Sequence, residues 1–262
     1  MSIEFIVTIL LLPFLGTSAG AACVFFMKRE IALPLRKALV GFAAGVMVAA
    51  SVWSLLIPSM EAMEGSEGIM KVIPASVGFF AGILFLLLID KITPHQHLDS
   101  DVPEGPKSRL SRASKLALAV TIHNIPEGIA IGIILAGALE ESGLLSVASA
   151  MALSVGLAIQ NFPEGAIVSM PMHEMGNSRP KAFGMGVASG AVEPIAALLT
   201  LAVSTLVLPL FPYLLAFGAG AMIYVVVEEL IPETAEGEHS DGGTIGFAVG
   251  FVMMMILDTV LG

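Results

Sequence analysis

The feature that most restricts this chain is the length of its apolar runs. Residues 5–27, 38–60 and 72–89 carry no charged side chain. Residues 116–139, 144–172, 182–208 and 212–231 are apolar except for isolated acids and one histidine, and a shorter Gly- and Met-rich run closes the chain at 244–261. A helix needs about 20 apolar residues to cross a bilayer, so eight crossings are expected. The runs are too long for strands and lack period-two alternation. With 56% of 262 residues hydrophobic and 13% charged, lipid is the solvent for most of the chain. The expected architecture is an all-α polytopic membrane protein, one transmembrane domain over residues 1–262. The net charge of −10 argues against a nucleic-acid partner. The lone Cys23 excludes an intrachain disulfide framework and a thiolate cage and reads as apolar filler. Glu4 is the only early charge, so the first run reads as a membrane helix and not as a cleaved signal.

The basic residues orient the runs. Lys28, Arg29, Arg36 and Lys37 fall between runs one and two, and Lys91, Lys107, Arg109, Arg112 and Lys115 between three and four. Arg179 and Lys181 fall between five and six, and Lys71 alone has the opposite parity. Positively charged loops stay in the cytoplasm, so both termini are expected outside. The longest polar connection, residues 91–114, is then a mobile cytoplasmic loop. It holds His95, His97, Asp99, Asp101, Pro103 and Pro106, and reads either as a solvated linker or as a weak collector of metal ions. Runs two and seven echo each other: Gly45-x-Met47 and Leu56-Ile57-Pro58 against Gly220-x-Met222 and Leu230-Ile231-Pro232. They cross in opposite directions, as an inverted repeat requires; chance similarity between Gly-rich helices is the alternative.

The chemistry sits in the middle runs. Run four contains His123-Asn124-Ile125-Pro126-Glu127-Gly128, and run five answers with Gln160-Asn161-Phe162-Pro163-Glu164-Gly165. A charge at mid-bilayer costs about 2.5–3.5 kcal/mol or more. Residues i and i+4 share a helix face, so His123 stands over Glu127 and Gln160 over Glu164, with Asn124 and Asn161 about 100° round. Pro126 and Pro163 free the carbonyls of Ile122 and Ile159. Run six adds Glu193 beside Pro194. Three carboxylates cannot share a dry pocket uncompensated, and these runs hold no Lys or Arg. Protons or a bound cation must neutralise them. A protonated structural glutamate is the bland reading for one such residue, and it weakens for three beside a histidine.

The paired hexads resemble the signature of the ZIP (zinc/iron-regulated-like) divalent metal transporters, and the wider pattern resembles their bacterial GufA-type branch. The resemblance covers all eight runs. It implies a 3+2+3 arrangement with runs four and five central, in the cell membrane, and transport of Zn2+, and also Fe2+, Mn2+ or Cd2+, into the cytoplasm. It further implies a binuclear site: His123, Glu127, Gln160 and Glu164 on one ion, and Asn124, Glu127, Asn161, Glu164 and Glu193 on the other, with Glu127 and Glu164 bridging. Some relatives carry Asp where this chain has Asn161, which removes one negative charge from the second position. The metal is cargo; no catalytic cofactor is implied. The expected partners are divalent ions and the lipid bilayer, with a homodimer left open.

A nitrogen, carboxylate and amide ligand set without thiolate suits borderline divalent ions. Met47, Met60, Met170 and Met172 read as packing or as soft contacts along a path. Glu61, Glu64, Glu67, Glu140 and Glu141 would form an acidic outer mouth, joined by Asp258. Asp90, Glu228, Glu229, Glu233 and His239 would line the inner side, or snorkel to the interface. Two rivals stay in view. An intramembrane metalloenzyme lacks support because no His-Glu-x-x-His occurs and His123 is the only histidine within a run. A proton-coupled carrier of an organic solute would bind without metal.

Overall fold

The structure is a computed structural model and describes residues 2–26, 31–63, 65–96, 103–140, 145–203, 206, 208–235, 237 and 240–261. Among these residues the chain is built from eight helical rods: α1 (Ile3–Phe26), α2 (Leu33–Glu61), α3 (Ile69–Ile92), α4 (Arg112–Leu139), α5 (Val147–Glu174), α6 (Arg179–Ala202), α7 (Leu208–Ala235) and α8 (Gly242–Leu261). Seven are long and apolar enough to cross a membrane. The other, α5, has 28 residues and is less apolar because Gln160, Asn161 and Glu164 lie inside it.

Local chemistry sets where the helices begin. Ser2, Ser111 and Ser146 cap α1, α4 and α5 by accepting hydrogen bonds from the N–H groups of Phe5, Ser114 and Ser149, which satisfies donors a helix start leaves open. Pro34 and Pro180 stand in the first turns of α2 and α6, and Pro212 in the first α-helical turn of α7, which follows a tighter 3-10 turn at Leu208–Leu210; no N–H is needed at these places. Several basic residues assigned to connections by hydropathy lie inside helix ends: Lys91 in α3, Arg112 and Lys115 in α4, Arg36 and Lys37 in α2. Lys37 is only 1% exposed, so burial reaches further down α2 than its charge suggested. Arg36 Nε pairs with Glu233 Oε1 of α7 at 3.5 Å.

Pro13 lies within α1 and has no N–H to give the Ile9 carbonyl. Ser154 of α5 fills that gap, its Oγ donating to Ile9 O at 2.8 Å. Pro58 and Pro232 each follow a short stretch of wider π turn, Ser51–Leu56 in α2 and Val226–Leu230 in α7, a common way to absorb an interrupted helix ladder.

Glycines decide which helices pair most closely. A Cβ at Gly165 would stand 2.0 Å from Thr17 O, joining α5 to α1; one at Gly128 would stand 2.4 Å from Glu193 O, joining α4 to α6. Gly41 meets Gly243 O of α8 at 2.1 Å in the same sense, and Gly78 meets Tyr213 O of α7 at 2.1 Å. Such backbone contact is possible only where no side chain intervenes. Two groups result: α1, α4, α5 and α6, and α2, α3, α7 and α8. Between the groups, glycines meet side chains instead: Gly137 faces the Phe211 ring and Gly156 the Met254 sulfur.

The segment between α3 and α4 is folded against the protein around His95. His95 and Glu104 exchange both backbone hydrogen bonds, at 3.3 and 2.9 Å, and Gln96 is buried. His97, Asp99 and Asp101, like Lys28, Arg29, Glu64, Glu141 and His239, lie outside the described residues.

Candidate metal centre

The residues of the two hexads and Glu193 meet between α4, α5 and α6. Gln160 ties the glutamates together: its Nε2 donates to Glu127 Oε1 at 2.8 Å and to Glu164 Oε1 at 2.9 Å. Asn161 Nδ2 donates to Glu193 Oε2 at 2.8 Å. Asn124 Nδ2 donates to the Ser189 carbonyl of α6 at 3.0 Å. The i, i+4 rule thus brings Gln160 onto Glu164, and the Gly128–Glu193 contact brings α6 close enough for its carboxylate to join.

Asn124, Gln160 and Asn161 are fully buried, and Glu127 and Glu193 are 1% and 2% exposed. With each amide donor spent on a carboxylate or carbonyl, Asn124 Oδ1, Glu127 Oε2, Gln160 Oε1 and Asn161 Oδ1 have no hydrogen-bond partner within the protein. Buried acceptors are satisfied in the great majority of cases. Four such oxygens on neighbouring residues could coordinate a desolvated cation, and His123 and Glu164 could add nitrogen and carboxylate donors on the open side.

That open side is a cavity of about 170 Å³ lined by His123, Glu164, Glu228, Glu229, Glu233, Gln96 and Glu104. His123 Nε2 is in direct contact with Glu229 Oε1 of α7. The cavity leads from the hexads toward Gln96 and Glu104 of the α3–α4 segment.

The family model described as "ZIP Zinc transporter" matches residues 96–258. The chain belongs to the ZIP family. Zinc transporter ZIP11 of Homo sapiens is 35% identical, over 94% of each chain. Zinc transporter ZIPB of Bordetella bronchiseptica is 36% identical over 95% of this chain and 79% of its own, and zinc transporter GufA of Myxococcus xanthus 32% over 94% and 96%. With seven helices able to cross a bilayer, this ZIP protein is a multi-pass membrane protein.

Some of the ZIP chain's polar contacts escape a sequence reading. Thr17 lies in a charge-free run, yet its Oγ1 donates to Glu193 Oε1 at 3.1 Å. No charge or motif marks it; a lone hydroxyl in an apolar helix is a weak signal, because Thr in a membrane helix can bond its own backbone instead. Glu229 was legible as an acid near a helix end, but its contact with His123 was not. Asp258 is buried, and Ser54 Oγ shares its proton between both carboxylate oxygens at 2.8 Å each. His95 Nε2 lies 2.8 Å from Asp90 Oδ1, and together with Glu104 these ligand-type atoms lie within 4.8 Å of one another. Met47, Met170 and Met172 are buried, in keeping with packing.

Proposed function

We propose that this protein carries Zn2+, and also Fe2+, Mn2+ or Cd2+, into the cytoplasm through a binuclear mid-membrane site, as a carrier and not an enzyme. The observation that carries the reading is the set of four buried oxygens without partners, on Asn124, Glu127, Gln160 and Asn161. His123, Glu127, Gln160 and Glu164 would hold one ion. Asn124, Glu127, Asn161, Glu164 and Glu193 would hold the second, with Glu127 and Glu164 shared between them. The relatives named above are zinc transporters by name, which supports zinc as the cargo.

The topology proposed is eight crossings over residues 1–262, α5 included, with both termini outside. A transport-competent α5 is necessarily the least apolar helix, since its polar residues face α4 and α6 and not lipid. The helix pairs support an inverted 3+2+3 repeat. Exchanging α1 with α6, α2 with α7, α3 with α8 and α4 with α5 turns the α2–α8 pair into α7–α3, and the α1–α5 pair into α6–α4. The two π turns and the Gly78/Gly82 and Gly246/Gly250 spacings follow the same exchange.

In alternating access around this site, Ser54, Asp258 and the outer acids receive the ion. The hexads hold it out of water. Glu229, Glu228 and Glu233 line the way to the cytoplasm. The His123–Glu229 contact joins the two helix groups, so an ion that takes His123 as a ligand also loosens that link. Zinc uptake into reconstituted vesicles tests the reading: His123→Ala and Glu164→Ala are each expected to fall to the protein-free background, and wild-type rates in both would end it.

A further inference from the structure

We propose that Thr17 of α1 is a positioning residue that makes Glu193 a retractable ligand, held back by two hydrogen bonds until an ion draws it in. The inference rests on the metal site proposed above and concerns how its third carboxylate is controlled.

Both oxygens of Glu193 are engaged: Oε1 by the Thr17 hydroxyl at 3.1 Å, and Oε2 by Asn161 Nδ2 at 2.8 Å. Glu127, by contrast, keeps Oε2 without a partner. Each carboxylate oxygen has two lone pairs, so the two donors do not block Glu193; they fix its orientation toward α1 and α5, and turning it toward an ion lengthens or breaks one of the two bonds. Releasing a buried donor is costly if it has nowhere to go. Here both donors have the same alternative. Thr17 Oγ1 lies 3.4 Å from the Pro13 carbonyl and Asn161 Nδ2 lies 3.5 Å from it. A carbonyl oxygen has two lone pairs, and within α1 the N–H of Thr17 takes one of those on Pro13 O, so the other can receive whichever donor Glu193 releases. The hydroxyl has one proton and therefore serves one acceptor at a time, Glu193 or Pro13.

The surroundings fix Thr17 for this task. It is 1% exposed. A Cβ on Gly190 of α6 would stand 2.8 Å from Thr17 Cβ, and a Cβ on Gly165 would stand 2.0 Å from Thr17 O. Glycine at both places lets α1 approach the site from α5 and α6 at once. The hydroxyl is thus brought to the carboxylate by backbone contact and not by a flexible side chain. Helix α1, which has no charge near the site, enters the mechanism through this one group.

Thr17→Val keeps the shape and removes the donor. Zinc bound per protein and its affinity, measured on purified protein, and zinc uptake by vesicles would be compared for wild type, Thr17→Val and Thr17→Ser. With the restraining bond gone, Thr17→Val is expected to bind the second ion about tenfold more tightly while maximal uptake and KM both fall. Thr17→Ser restores all three. In a Glu193→Gln background, Thr17→Val is expected to change zinc affinity no further. Equal affinity and uptake in Thr17→Val and wild type would overturn the proposal. So would weaker binding that Thr17→Ser restores, or an undiminished effect in the Glu193→Gln background. Wild-type protein that binds no zinc would instead remove the site itself, and this control with it.

Discussion

The two helix groups solve opposite problems with the same small residues. In α1, α4, α5 and α6, glycines press backbones together so that polar side chains deep in the helices reach one another: Gly128 seats α6 on α4, and Gly165 seats α1 on α5. In α2, α3, α7 and α8, equally close glycine contacts, Gly41 on α8 and Gly78 on α7, join surfaces that are almost wholly apolar. Polar groups stand there at the two π turns, Ser54 with Asp258 and Glu229 with His123, and at the ends of α2 and α7, where Arg36 pairs with Glu233. One group carries both hexads and Glu193; the other is a mostly apolar wall with polar groups near its ends. Close packing by itself therefore says nothing about function. At these contacts the groups differ in the residue beside the glycine: Glu in Glu127-Gly128 and Glu164-Gly165, Phe in Gly78-Phe79 and Gly41-Phe42.

The strongest way to break this contrast is to remove one carboxylate from each group. Glu127→Ala is expected to lower zinc uptake by more than the roughly 10–100-fold that losing an outer partner of a metal ligand costs. Asp258→Ala should act mainly on KM. Equal losses in vesicle uptake would erase the distinction between site and wall. Packing offers the next test. Gly165→Val drives a side chain into the α1 backbone and should destabilise the protein by about 3 kcal/mol or more. Gly156→Ala meets only the Met254 sulfur, at 2.2 Å, and should cost less than about 1 kcal/mol because that side chain can move. Thermal unfolding in detergent would read both.

Smaller effects sharpen the comparison where the groups touch. Glu229→Gln keeps the shape of the contact between His123 and the second group and removes its charge, so zinc affinity should change by no more than about threefold, the worth of one neutral hydrogen bond at the low end, while the uptake rate falls. Affinity and rate falling together would make Glu229 a ligand. Ser54→Ala leaves buried Asp258 without its hydroxyl donor and should cost about 1 kcal/mol of stability, with a rise in KM for uptake smaller than that of Asp258→Ala. A loss of uptake as large as that of Glu127→Ala would move the site outward.

Much of this was legible in the sequence because membrane physics is strict. All eight apolar runs became helices, and the paired hexads named the residues that meet. The ends of the helices were less legible: Lys91 lies within one with its head exposed, as a snorkelling side chain does, and Lys37 lies within another although it is buried. The π turns left no periodic signal, only the Leu-Ile-Pro that follows each. The glycine spacings announced close contacts without naming the partners, because a helix face does not say which helix covers it. Thr17 was hidden altogether, as one hydroxyl in an apolar run becomes meaningful only when Glu193, 176 residues later, is folded against it.

The central claim is that the buried oxygens between α4, α5 and α6 exist to hold a divalent cation. Anomalous scattering from crystals grown with Cd2+ tests it most directly. Density is expected between Glu127, Gln160 and Glu164, bounded by His123 and Asn161. Crystals that show no ion there, from protein that still moves metal across vesicles, would contradict the account.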